Sequence, residues 1–297
     1  MMTEEERAES RAGWGFVTPA LVLIGIFFVI PVLAAFVLSF TDFDIYSIGD
    51  FGSTRFVGLK NYHDLFTTPL FWTSLKNTLY FVVLGGPLSV AVSLGAAILV
   101  NARMVRFKPF FRSAFFAPWV TTLVAVALVW RYIYHPQYGL INSALSHVGI
   151  GPIDWLGDPH WAMPAIVVLS IWKNFGYNML VFLAGLQSIP AELYEAAALD
   201  GAGGWQRFRQ ITVPMLGPTF VFVGVVTMIA SFQIFSEPYI MTQGGPLKST
   251  TTLVLFMYEQ GFRWWRLGYS AAIAVILFLL TLMGTAVQFR LQRRSDP

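Results

Sequence analysis

Cysteine is absent from all 297 residues, and charged side chains make up only 12% of them. The first absence excludes disulfides, thiolate metal sites and cysteine nucleophiles, while saying little about compartment. The second leaves about half the charge of an ordinary soluble domain, which points to lipid as the solvent. Histidine is scarce: the four are His63, His135, His147 and His160, and they lack ligand spacing. No Gly-rich loop ends in Gly-Lys-Ser or Gly-Lys-Thr, and no His-Glu-x-x-His occurs. A membrane enzyme would need a clustered catalytic constellation, and none is visible. Carboxylates within the apolar runs are also missing apart from Glu237, near a run's end. That argues against a secondary transporter, which needs titratable groups inside its spans.

What is present is apolar. Hydrophobic residues are 56% of the chain, and about 20 of them in a row span a bilayer core. Six such runs fall near residues 17–40, 72–100, 109–133, 162–187, 216–237 and 269–290. The first is too long for a signal-peptide core, so it should remain as an anchor. These runs predict an all-α, polytopic membrane protein with six transmembrane helices. Residues 1–16 form an N-terminal segment, 17–292 the membrane domain, and 293–297 a tail.

Net charge is +3 and the pI is about 9.2. The basic residues are spread over short segments rather than concentrated in a patch, so orientation in a membrane explains them better than nucleic acid does. Eleven Lys and Arg lie on one side (Arg7, Arg11, Arg103, Arg106, Lys108, Arg112, Arg207, Arg209, Arg290, Arg293, Arg294). Seven lie on the other (Arg55, Lys60, Lys76, Arg131, Lys248, Arg263, Arg266), over longer loops. Excess positive charge marks the cytoplasmic side, so both termini are predicted to be cytoplasmic. Trp119, Trp130, Tyr132, Trp264, Trp265 and Tyr269 sit at run ends and read as interfacial aromatics.

Residues 188–215, on the cytoplasmic side in this reading, carry the most specific pattern. Ser188 is a candidate cap, Pro190 fits a first helical turn, Glu192 suits a helix N-terminus, and Ala196–Ala198 favour helix. Gly201, Gly203 and Gly204 end that helix, and a short basic-aromatic helix over 205–210 precedes Pro214, which opens the fifth run. Such a segment offers another protein a small, stiff knob with Glu195 and Asp200 as charged contacts. Composition alone fits equally an amphipathic helix lying on lipid headgroups.

The spacing of Glu195, Ala196, Ala197, Gly201, Ile211 and Pro214 resembles the EAA loop of permease subunits from binding-protein-dependent ABC importers, with Val213 where Leu is usual. Three further stretches, Phe56–Tyr62, Leu186–Pro190 and Met241–Pro246, are similar to the carbohydrate-uptake branch of that family, which includes maltose, lactose and glycerol 3-phosphate permeases. The resemblance implies the type I permease fold in a bacterial inner membrane. It implies that Glu195, Ala196, Ala197, Asp200 and Gly201 couple to an ATPase. The implied partners are a second, homologous permease forming a heterodimer, two cytoplasmic ATPase subunits that use ATP and Mg, and an extracytoplasmic solute-binding protein. This chain itself would bind no cofactor.

Polar residues deep in a span are costly, and an ionisable one invites a functional reading. Ser170, Lys173, Asn174 and Tyr177 follow at i, i+3, i+4 and i+7, so they share one helix face. An amide and a phenol supply the donors, acceptors and flat ring that a sugar needs. Lys173 is open to two readings, a solute contact or a snorkelling or packed cation. In the fifth run Thr227, Ser231 and Ile234 form one stripe, and Gln233, Ser236 and Glu237 an adjacent one. Membrane helices also use Ser and Thr merely to pack. The resemblance carries solute contact to Ser170, Lys173, Asn174, Tyr177, Thr227 and Ser231, with Gln233 beside them. The expected cargo is a sugar, with glycerol 3-phosphate or a related phosphodiester as the alternative, Lys173 then facing the phosphate.

Overall fold

The structure is a computed structural model that describes residues 4–49, 52, 54–102 and 104–293. Arg103, Arg294 and the rest of the tail to 297, used in the charge count, lie outside the described residues, as do the first three residues of the 1–16 segment. Among the described residues helices are the regular elements, joined by turns and loops, with one isolated antiparallel bridge between Thr41 and Phe56.

In chain order the helices are α1 (Glu4–Ile24), α2 (Ile30–Leu38), α3 (Lys60–Thr67), α4 (Pro69–Tyr80), α5 (Gly86–Asn101), α6 (Lys108–Val120), α7 (Leu123–Ile133), α8 (Leu140–Ser146), α9 (Pro159–Gln187), α10 (Ala191–Leu199), α11 (Gly204–Arg207), α12 (Val213–Met215), α13 (Gly217–Phe232), α14 (Ser236–Met241), α15 (Leu253–Tyr258) and α16 (Leu267–Arg293). Widened turns join α1 to α2 over Gly25–Val29 and α4 to α5 over Phe81–Gly85. Among the described residues, four continuous helical stretches are long and apolar enough to cross a membrane: Gly13–Leu38, Pro69–Asn101, Pro159–Gln187 and Leu267–Arg290. Two bent pairs bring the number to six if each is one span: α6 with α7, bent by 98°, and Gly204–Met215 with α13, bent by 68°.

The first bend corrects the simple reading of an unbroken third run; the second falls where the fifth run was expected to begin. Apolar composition continues across residues 109–133, but Thr121 and Thr122 take extended backbone angles (ψ 150 and 134), so the chain leaves the helix between α6 and α7. Pro118 weakens the last turn of α6 by removing a donor. The fifth run is likewise shorter than read. The helix α13 begins at Gly217 and ends at Phe232, 16 residues or about 24 Å. Gln233 therefore follows its end, Ser236 and Glu237 belong to α14, and Pro214 precedes the helix rather than opening it.

The chain divides into two compact units, one up to Thr68 together with Met257–Ile276, the other Pro69–Phe256 together with the residues from Leu277 on. In the first, the stretch 56–62 folds back on the end of α2. Asn61 donates from Nδ2 to the carbonyls of Ser39 (2.9 Å) and Thr41 (2.8 Å), and the Tyr62 hydroxyl donates to Ser39 Oγ at 2.7 Å. These bonds satisfy carbonyls that a helix end leaves without partners. Gly268 sits against Thr41, where a Cβ would strike the Thr41 carbonyl. The outward apolar surface of α1 and α2 is wholly unburied, with Phe16, Phe27 and Phe28 exposed.

In the second unit α9 is the central element. Ile166, Leu169, Met179 and Phe182 are fully enclosed, and α9 contacts α5, α6 and α13. One apolar cluster gathers Phe81, Tyr134, Met163, Ile166, Leu169 and Ile234, and a second Ala97, Val100, Met179, Phe182, Leu186 and Leu216. Gly176 allows the backbone at Phe115 and Phe116 to approach α9, because any Cβ there would collide with the Phe115 carbonyl.

Candidate functional site

A cavity of about 500 Å³ opens between α5, α9 and α13. Ser170, Asn174 and Asn178 follow at intervals of four along α9 and line one wall. Thr227 and Ser231 face it from α13, Gln233 to Glu237 from the segment after α13, and Phe81, Gly85 and Ser89 from the α4–α5 side. Trp119, at the end of α6, completes the lining, with its ring stacked on Tyr177 at 5.1 Å between centroids and 19° between planes.

The polar groups are held by local bonds. Asn174 donates from Nδ2 to the Ser170 carbonyl at 2.8 Å and to Ser170 Oγ at 3.3 Å. Asn178 donates from Nδ2 to Thr227 Oγ1 at 3.1 Å, tying α9 to α13. Ser231 donates back along its own helix to the Thr227 carbonyl at 2.7 Å. Each amide thus anchors its NH2 within the protein while its residue lines the cavity. Hydroxyls and amides beside flat aromatic rings can bind a polyhydroxylated solute, which presents both hydrogen-bonding rims and apolar C–H faces.

Six of the seven residues named from the sequence as solute contacts line this cavity: Ser170, Asn174, Tyr177, Thr227, Ser231 and Gln233. Lys173 does not. Its Nζ donates to the carbonyls of Pro118 (3.0 Å), Trp119 (3.2 Å) and Thr121 (2.9 Å) at the broken end of α6. Asn178, Trp119, Ser89 and Glu237 also line the cavity but were not among the solute contacts expected from the sequence. Asn178 continues the 170, 174 series by one more turn and could have been found that way. Trp119, read as an interfacial aromatic, carried no sequence signal for a cavity wall, because its place depends on the break after α6.

The segment 188–215 projects from this unit as a capped knob. Helix α10 ends on Gly201, whose φ of +79° suits glycine. The Gly201 N–H donates to the Ala198 carbonyl and the Ala202 N–H to the Ala197 carbonyl, at 3.1 and 2.9 Å. Ser188 does not cap α10: it ends α9 and donates to the Gly185 carbonyl, while Pro190 precedes α10. Glu195, Ala196 and Asp200 are exposed, Ala197 half-buried, and Leu199 and Trp205 are 90% and 74% exposed. Tyr194 roots the knob, packing with Ile189, Ile211 and Leu216 and meeting Thr212 Oγ1 through its hydroxyl at 2.9 Å. No group of three or more His, Asp or Glu side chains that could hold a metal is formed among the described residues.

Residues 16–296 match the family described as binding-protein-dependent transport system inner membrane component. A sulfoquinovosyl glycerol transport system permease protein of Agrobacterium fabrum is 37% identical over 94% of this chain and 89% of its own length. A lactose transport system permease protein of Rhizobium radiobacter is 36% identical over 93% of this chain and 92% of its own. Among solved structures, a bacterial ABC transporter involved in the import of alginate matches with a TM-score of 0.81 at 21% identity, over 99% of each chain. That last likeness speaks to fold.

Proposed function

The chain belongs to the family of binding-protein-dependent transport system inner membrane components, and from that membership we propose that it is the permease subunit of an ATP-driven importer for a sugar. As a family member it is a transport component rather than an enzyme. The sugar, a mono- or oligosaccharide, is handed over by an extracytoplasmic binding protein and crosses through the cavity between α5, α9 and α13. The observation that carries this reading is the composition of that cavity, where amide and hydroxyl groups of Ser170, Asn174, Thr227, Ser231 and Gln233 surround the Trp119–Tyr177 stack. The named cargoes of the relatives at 36–37% identity, a sulfoquinovosyl glycerol and lactose, support the same solute class.

Energy comes from outside this chain. The knob of Glu195, Ala196, Ala197, Asp200 and Gly201 seats in one of two cytoplasmic ATPase subunits, which use ATP and Mg. Exposed Leu199 and Trp205 support a protein partner there, since large apolar side chains beside a charged rim suit an interface. A second, homologous permease completes the membrane part as a heterodimer, and the unburied apolar surface of α1 and α2 is available to it and to lipid. Both termini lie in the cytoplasm.

ATP-driven uptake by the reconstituted transporter tests the reading. Labelled sugars should accumulate in proteoliposomes only with ATP and the loaded binding protein. Glu195→Lys should leave membrane insertion intact and uncouple hydrolysis from uptake; normal transport by that variant would defeat the assignment. Mass spectrometry of the solute retained by the co-purified binding protein identifies the cargo.

A further inference from the structure

An ammonium group carries three hydrogens, and in Lys173 all three have partners: the carbonyl oxygens of Pro118 at 3.0 Å, Trp119 at 3.2 Å and Thr121 at 2.9 Å. Those oxygens close the last turn of α6 and the residue that leaves it, where a helix leaves its carbonyls without backbone partners; the Pro118 carbonyl also accepts from Thr121 Oγ1 at 2.6 Å. Inside a bilayer such groups must be satisfied by protein. A cation is also the charge that a helix C-terminus favours. To donate to a solute, Lys173 would have to release one of these carbonyls.

Two neighbours on α9 complete the contact. Gly176 admits the α6 backbone at Phe115, and Tyr177 stacks on Trp119. Lys173, Gly176 and Tyr177 stand at i, i+3 and i+4, a stripe beside the Ser170, Asn174, Asn178 stripe that lines the cavity. One face of α9 therefore grips the broken end of α6 while the adjacent face meets the cavity.

We propose that Lys173 is a positioning residue: by capping the broken end of α6 it holds Trp119 against Tyr177 on the cavity wall, and it does not itself touch solute. The consequence for transport rests on the cavity being the sugar site, as proposed above; the clamp rests on this chain's own contacts.

Fluorine NMR of the complete, purified transporter carrying fluorotryptophan in this subunit tests it, with the Trp119 resonance assigned by its loss in Trp119→Phe. Lys173→Met should move that resonance to where Tyr177→Ala moves it, and Lys173→Arg, which still donates, should keep it near its native position. If Lys173→Met does not assemble, Lys173→Gln, with two donors, should give an intermediate shift. An assembled Met or Gln variant with an unmoved resonance overturns the clamp. A second arm uses lactose as probe in ATP-driven uptake. Loss of one well-placed contact should raise the lactose KM about tenfold in Lys173→Met and in Trp119→Ala, and the double variant should be no worse than Trp119→Ala alone. Multiplied effects would mean that Lys173 meets solute directly and would overturn the proposal. A moved resonance with an unchanged lactose KM in Trp119→Ala would uphold the clamp and count instead against the cavity as the sugar site.

Discussion

The hydroxyl of Tyr194 and Oγ1 of Thr212 meet at 2.9 Å, closing the base of the projecting knob across 18 residues of chain. Tyr194 packs in the same apolar cluster as Met179, Leu186 and Leu216. The base of the knob is thus continuous with the core around α9, the path by which a push on α10 would reach the helices that line the cavity.

Removing that hydroxyl tests the link. Tyr194→Phe keeps the ring and its packing and loses one hydrogen bond, a cost of about 0.5–1.5 kcal/mol. The variant should fold and bind its ATPase, while the sugar transported per ATP hydrolysed falls. The ratio of uptake to phosphate release in proteoliposomes measures this, and an unchanged ratio would show that the bond transmits nothing.

The cap of the knob depends on Gly201 at φ +79° with open space around it. Gly201→Ala meets no steric obstacle, so its effect is conformational, about 1–2 kcal/mol for an L-residue in the left-handed region. The end of α10 should fray, seen as faster proteolysis within residues 198–206 of the isolated permease. Equal protease resistance would contradict the cap's role.

At Gly176 the obstacle is backbone. Gly176→Val should prevent α6 from seating on α9 and destabilise the unit by about 1–3 kcal/mol, with loss of the monodisperse species in detergent. Gly185→Ala provides the contrast, because there the neighbours are the side chains of Thr219 and Leu216, which can move. The Gly185 variant should be the milder in the same unfolding assay.

Asn178 offers a test of the cavity. Asn178→Ala breaks the bond to Thr227 Oγ1. Bonds between membrane helices average only about 0.6 kcal/mol, so stability should change little. Loss of an amide at the wall should raise the KM for the transported sugar about fivefold. A large loss of stability with unchanged KM would assign Asn178 to packing alone.

The residues that were legible in the sequence are those whose role depends on their own helix. Ser170 and Asn174 share a face by helical spacing alone, and the knob's glycine stop at Gly201 follows from its composition. The residues left open, or read only as interfacial, depend on a different helix. Lys173 is polar within an apolar run, which marks it as engaged but not with what; its partners are three carbonyls more than 50 positions away. The break after Val120 lies inside a largely apolar stretch, and Lys173, which meets three carbonyls there, comes from a helix more than 50 positions on, so that contact is not a local signal. Trp119 moves from the membrane belt to the cavity wall as a result. At α13, composition could not place the stop at Phe232, because apolar residues continue through Ile234 and Phe235.

The central claim is that the knob is a cytoplasmic coupling element seated in an ATPase subunit, and the absence of native cysteine permits a direct measurement. Leu199→Cys places a lone thiol at a 90% exposed position on the knob. In membrane vesicles, a membrane-impermeant maleimide should label it only from the cytoplasmic face, and the assembled ATPase should block that labelling. Labelling from the outside, or a thiol equally reactive with and without the ATPase, would contradict the account.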